Sequence, residues 1–219
     1  MNRRTDSLIA VTMALTIIEV TLTGLVFRRP WLFSAIAWQM LLTYIFFALV
    51  TRNRIIPRLL AFSLACNIPQ LLTDWYHSRV VHTLVYDYAL FRVLDTPDYI
   101  IAGWGFAFVQ LGYLIMRLRP RLGVAAVTLL TATGGTVIHS WYEEMAYLAG
   151  AWGYVNASCI GHVSIWVIAS FAMIIATISL LVVGLEKRKR WGYWFIGGIV
   201  NGLGIFIYSA IAVALLRWV

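Results

Sequence analysis

The sequence predicts an all-α integral membrane protein: a bundle of seven transmembrane helices, N-terminus inside and C-terminus outside. Three observations predict it. Of 219 residues, 62% are hydrophobic and only 12% are charged, with a mean hydropathy of +0.83. Several apolar runs approach the ~20 residues that a helix needs to cross a hydrocarbon core. The runs are continuous rather than alternating, which excludes a transmembrane β-barrel. The basic residues fall between the runs and divide unequally. With seven spans, one side holds twelve: Arg3, Arg4, Arg52, Arg54, Arg58, Arg117, Arg119, Arg121, Lys187, Arg188, Lys189 and Arg190. The other side holds five, Arg28, Arg29, Arg79, Arg92 and Arg217. Positive charge marks the inside, and an even number of spans would break the alternation.

The first span runs from about Leu8 to Phe27 and stops at Arg28-Arg29-Pro30. It lacks a small-residue cleavage site and carries Glu19 in mid-run, so it reads as a helix rather than a signal peptide. Glu19 must be protonated, paired or wet, either as a neutral interhelical hydrogen-bonding group or as a catalytic one. The second span, Trp31 to Val50, carries Gln39. The third, Ile56 to Thr73, holds Asn67, Pro69 and Gln70. Pro69 should kink it, and polar side chains beside a kink either line a pocket or join helices.

The stretch from Asp74 to Asp98 is the longest segment outside the spans, and it alternates apolar with charged residues. It reads as an interfacial amphipathic segment or lid. The fourth span, Tyr99 to Leu118, contains Trp104 and Gln110 and closes at Arg119-Pro120-Arg121. The fifth, Leu122 to Tyr147, has Gly134-Gly135 in its middle, which permits close approach of a neighbour or ligand. A short aromatic turn, Gly150 to Asn156, precedes the sixth span, Cys159 to Leu185. The seventh runs from Trp191 to Trp218. The chain reads as one integral membrane domain over residues 1–219. A possible helix-loop-helix repeat spans 56–118 and 122–185, each half with a Trp-Tyr pair at a helix end.

The net charge of +8 sets topology and does not point to nucleic acid. Cys66 and Cys159 have no metal-type spacing and read as small buried hydrophobes.

The chemistry concentrates at His139-Ser140-Trp141-Tyr142-Glu143-Glu144, at the far end of the fifth span. Ionisable groups at membrane depth are costly and usually face a bundle interior, a cavity or a partner. His139 and Glu143 are four apart and share a helical face, whereas Glu144 points about 100° away. The bland alternative is that both glutamates cap the helix in the headgroup region. In the seven-span arrangement His77, His82, His139 and His162 and most acids lie on the same side. With 10 Trp, 11 Tyr and 11 Phe, a nearby pocket would be lined by π faces. A carboxylic acid kept neutral by burial can protonate an alkene or epoxide there. Aromatic faces stabilise the cation that forms. Glu143 or Glu144 is the candidate acid, and His139, Asp74 or His77 its partner.

The pattern Glu143-Glu144, then Gly150-Ala151-Trp152-Gly153-Tyr154, then Gly161-His162 opening an apolar helix, resembles the small polytopic carotenoid-modifying membrane proteins. These are the heterodimer-type lycopene cyclases and carotenoid hydratases, with the similar seven-span meroterpenoid cyclases. The resemblance covers mainly the fifth and sixth spans. It implies a prenyl-chain substrate and cofactor-free, proton-initiated cyclisation or hydration. Where those cyclases open a helix with Pro-x-Glu-Glu, this chain reads Gly161-His162-Val163-Ser164, or Pro97-Asp98-Tyr99-Ile100, with Asp98 the closest substitute acid. The substrate-binding candidates are Asn67, Trp75, Tyr76, Asp98, Trp104, Trp141, Tyr142, Trp152, Tyr154 and His162.

Two other classes stand beside this one. The histidines and carboxylates could hold a divalent metal, or His77 and His139 a haem. A seven-helix bundle with a polar-aromatic pocket could also be a non-catalytic lipid-binding subunit. The only lysines are Lys187 and Lys189, outside the spans, which excludes a retinal Schiff base. The expected partners are a lipophilic prenyl or terpenoid molecule and the bilayer, and the expected location is a bacterial inner membrane or its equivalent.

Overall fold

Six helices and three two-stranded antiparallel ladders make up the computed structural model, which describes residues 3–51 and 53–217. The expected basic-turn residue Arg52 and the span end Trp218 lie outside the described residues. Helix α1 (Arg3–Leu22) continues into a π-helical turn (Thr23–Phe27) and ends where Arg28 adopts a left-handed conformation. Pro30 then starts α2 (Trp31–Val50), since a fixed φ and a missing N–H cost nothing at a helix start. Helix α3 (Ile56–Trp75) passes through Pro69 and ends in a second π-helical turn (Tyr76–Val80).

Strands β1 (Leu84–Tyr86), β2 (Arg92–Val93) and β3 (Thr96–Pro97) lead into α4 (Asp98–Leu148). Strands β4 (Trp152–Tyr154), β5 (Cys159–Ile160) and β6 (Val163–Ser164) lead into α5 (Ile165–Leu185), and α6 (Trp191–Leu216) follows. β1 pairs with β4, β2 with β3, and β5 with β6. The two connections therefore cap one end of the bundle together. Arg79 clamps this cap through both oxygens of Asp95 at 2.7–3.0 Å. The opposite end is basic, tied by Arg117 to Asp6 and by Arg119 to Glu186.

The expectation of seven transmembrane helices is corrected here. Among the described residues there are six helices, and five of them are long and apolar enough to cross a membrane. The fourth and fifth expected spans are one 51-residue element, α4, interrupted at Gly123 (φ 78°, ψ 172°). Arg119-Pro120-Arg121 reads as a stop, yet the chain breaks only at the glycine, the residue that tolerates positive φ. The halves fold back on each other, and the Trp104 and His139 rings lie 5.9 Å apart. The third expected span, α3, does not belong to the five. It carries Arg58, Asn67, Gln70 and Asp74. The assignment of N-terminus inside and C-terminus outside rested on seven alternating spans and falls with them. The protein is nonetheless a multi-pass, membrane-embedded chain.

Helix α3 buries one face against α6 and α4 and leaves a stripe of Leu64, Ile68, Leu72 and Trp75 exposed. A Cβ at Gly198 would lie 2.1 Å from the Phe62 carbonyl oxygen, and one at Gly202 2.4 Å from that of Cys66. Small residues spaced by four let two helix backbones touch, the usual way helices associate in lipid. The buried face of its last turns, with Gln70, Thr73 and Asp74, lies under the cap.

Candidate functional site: a buried glutamate between two cavities

Glu143 sits in the last turns of α4 with its side chain buried. Strand β4 supplies two of its partners. Trp152 and Tyr154 are two apart on the strand and so point to the same face. The Trp152 indole N–H and the Tyr154 hydroxyl both donate to Glu143 Oε2, at 2.5 and 2.6 Å. Pairing of β4 with β1 fixes that face, and Tyr99 OH bonds the Ala151 carbonyl at 3.0 Å just before it. One helical turn earlier, His139 Nε2 stands 2.7 Å from Glu143 Oε1. The expected sharing of a helical face is therefore realised. His139 is in turn stacked on Phe171 of α5, with ring centroids 3.3 Å apart.

Two cavities meet at this carboxylate. An apolar cleft of about 420 Å³ is walled by α1, both halves of α4, and α5. Its lining includes Trp104, Gly134, His139, Trp141, Tyr142 and Phe171. A polar hollow of about 60 Å³ lies under the cap, lined by Gln70, Thr73, Asp74, His77, Tyr86, Tyr154 and Trp166 among others. Ile100, Trp104, Glu143, Trp152 and Phe171 border both. Glu143 is the one acid in that shared wall.

Asp74 and His77 face the hollow and not the cleft. Asp74 Oδ1 accepts from Gln70 Nε2 at 3.0 Å. Burial foremost, and secondarily the Glu143 charge, push the Asp74 carboxyl up to about 7, against the lowering hydrogen bond from Gln70. His77 is stacked on Trp166 at 4.1 Å with Nδ1 3.2 Å from the Thr83 hydroxyl, and burial pulls it down to about 3.

Other expected site residues lie elsewhere. Glu144 is outside both cavities. It holds His162, whose Nδ1 is at 2.6 Å and whose backbone N–H donates at 2.9 Å, and Tyr147 stacks on the same ring. That pair pins the β5–β6 turn. Asp98 accepts from Trp38 Nε1 and from the Leu90 N–H, both at 3.0 Å, so it anchors the start of α4. Glu19 accepts from Gln39 at 3.3 Å, and Asn67 donates to the Ile101 carbonyl at 2.8 Å. Trp75 is exposed, and Tyr76 packs edge-on against His77 and Phe206. Sequence reasoning missed Tyr86, Trp166 and Phe171 in these walls. Trp166 and Phe171 looked like ordinary members of an apolar run, and Tyr86 reaches the site only through long-range strand pairing.

A metal or haem centre does not fit this arrangement. Among the described residues no three His, Cys, Asp or Glu side chains gather as a ligand set. His77 and His139 border different cavities, so they do not face one another across a common space.

No curated protein and no solved structure matches the chain. A family model described as "Domain of unknown function (DUF6989)" matches residues 71–216, from the last turn and a half of α3 through α6. That stretch carries the whole cap, Asp74, Glu143 and most of both cavity walls, and the chain belongs to this family.

Proposed function

We propose that the protein is a membrane-embedded cyclase or hydratase acting on a prenyl-chain alkene or epoxide, with Glu143 as the acid. The supporting observation is a buried carboxyl, coupled to a histidine, at the wall of an aromatic-lined apolar cleft. Glu143 carries the proton to be transferred, with His139 Nε2 2.7 Å from its Oε1. Transfer to an alkene forms a C–H bond from the π electrons and leaves a cation on the adjacent carbon. Transfer to an epoxide opens a C–O bond to the same effect. The π faces of Trp104, Trp141, Tyr142 and Phe171 stabilise that cation. Loss of a proton to the Glu143 carboxylate, or addition of water with loss of its proton there, ends the reaction. The acid is regenerated and no redox partner is consumed.

Lipid extracts of cells with and without the chain, compared by mass spectrometry against a panel of prenyl substrates, test this. Glu143→Gln should lower product by about 100-fold or more, the usual scale for a general acid. Glu144→Gln should leave product formation intact, since Glu144 faces neither cavity. Unchanged turnover in Glu143→Gln would remove the proposal.

A further inference from the structure

The small hollow behind Glu143 holds an unusual concentration of unpartnered polar atoms. Gln70 Oε1, Thr73 Oγ1, Asp74 Oδ2, His77 Nε2 and Trp166 Nε1 all lack a directed hydrogen bond from the protein. Every one of these residues is at most 5% exposed, and all line this one space of about 60 Å³. Burying a polar group without a partner is costly, so five around one hollow mark a binding site.

The chemistry of the five atoms selects the ligand. The indole N–H only donates, the amide oxygen only accepts, and the threonine hydroxyl does both. A cation would satisfy the oxygens and leave the indole N–H unmet. An apolar group would satisfy nothing. Water meets every one of them, and the volume suits about two molecules at roughly 30 Å³ each.

We propose that the hollow is a hydrated site whose ordered waters bridge Asp74 to Glu143 and carry protons between them. The relay role rests on the reading of Glu143 as the acid; the hydration does not. When Glu143 has given up its proton, Asp74 releases one to a water. That water passes another of its own onward, and Glu143 Oε2 or Oε1 receives it. Each water breaks one O–H bond and forms one, so the only net change is Asp74 ionised and Glu143 neutral. The titratable groups around Asp74 are Glu143 and Tyr99 of α4, His77 of the π-helical turn, Tyr86 of β1 and Tyr154 of β4. Helices α5 and α6 add none to the lining. A carboxyl pushed up to about 7 keeps a proton available near neutrality.

Infrared spectroscopy of the purified full chain in lipid nanodiscs, in ordinary water and in H₂¹⁸O, tests the site without any substrate. The expected result is an ¹⁸O-sensitive internal-water stretch, weakened in Thr73→Val and abolished in Ser170→Leu, which fills the hollow. A protonated-carboxyl band at neutral pH should vanish in Asp74→Asn and shift in Glu143→Gln. Circular dichroism and Tm establish that each variant is folded. If Ser170→Leu does not fold, the nearly isosteric Thr73→Val decides. Absence of any ¹⁸O-sensitive stretch, or one unchanged in both Thr73→Val and Asp74→Asn, overturns the hydrated site. A Tm that rises with sodium chloride but not with choline chloride overturns it in favour of a cation. An Asp74 band indifferent to Glu143→Gln overturns the relay. If the water and carboxyl bands behave as expected while no prenyl substrate is turned over, the acid role of Glu143 falls and the hydrated site stands.

Discussion

Asp74 and His77 are three residues apart, and burial drives both toward their neutral forms. The consequences for stability have opposite signs. Asp74 is raised from 3.8 to about 7. Its contribution is fully present below about pH 4 and is lost as pH rises through about 7. His77 is lowered from 6.5 to about 3. Its contribution is full above about pH 6.5 and is lost as pH falls toward about 3. Across roughly pH 4 to 6.5 the two slopes therefore oppose each other. Relative to the parent, Asp74→Asn should gain Tm progressively as pH rises through this window, and His77→Gln should gain as pH falls. Thermal melts followed by circular dichroism at a series of pH values check both. A difference in Tm that does not vary with pH would show that neither group titrates as its burial dictates. The two residues also mark how far residue-level reading reaches. His139 with Glu143 was legible because four-residue spacing fixes a shared helical face. Glu144 was separated from Glu143 by the same rule, and the structure turns it outward to His162. Asp74 was marked in the sequence as a candidate partner, but the wall between it and the cleft was not legible, because that wall comes from β4 and α5.

At the scale of elements, α3 against α6 is the contact most sensitive to a single methyl group. Gly198→Ala would push a carbon to 2.1 Å from a carbonyl oxygen, and Gly202→Ala to 2.4 Å. Backbone cannot rotate away as a side chain can. Each change should cost at least about 1–3 kcal/mol, the range for overpacking. Gly184→Ala in α5 meets nothing within 4 Å and should be neutral or gain up to about 1 kcal/mol of helix propensity. Denaturant titration in mixed micelles compares the three. Equal stabilities would mean α3 and α6 are not in the close register described. The same elements show why some boundaries were readable. Trp31–Val50 is free of charged residues and flanked by Arg-Arg-Pro and by a basic turn, so both ends are marked in one dimension. The α4 break was misplaced because Arg119-Pro120-Arg121 carries the stop signals while Gly123 carries the conformation. The strands of the cap run only two or three residues. Segments that short leave no periodicity, and their partners are set by tertiary contacts.

For the whole molecule, the decisive question is how a guest reaches a cleft in the middle of a bilayer protein. Of the residues that line the cleft, Ile17, Leu130 and Ile138 are about half exposed. They belong to α1 and α4, both apolar enough to span the membrane. The mouth thus opens between apolar helices, and on the proposed function a guest would reach it from lipid rather than through the polar cap. Both glycines in the second half of α4 line the cleft, but only Gly135 is also packed tightly on α5. Gly134 lines the cleft, and a Cβ there meets nothing within 4 Å. Gly135 faces α5, where a Cβ would come within 2.8 Å of Ile175 Cδ1. Gly134→Phe should place a ring in the cleft and leave Tm nearly unchanged. Gly135→Val should lower Tm, because two packed helices must part. Mass spectrometry of lipids that co-purify with each variant reads the first effect, and thermal melts read the second. A Gly134→Phe protein that retains the parent's complement of bound lipophilic molecules would show that the cleft is not where they sit.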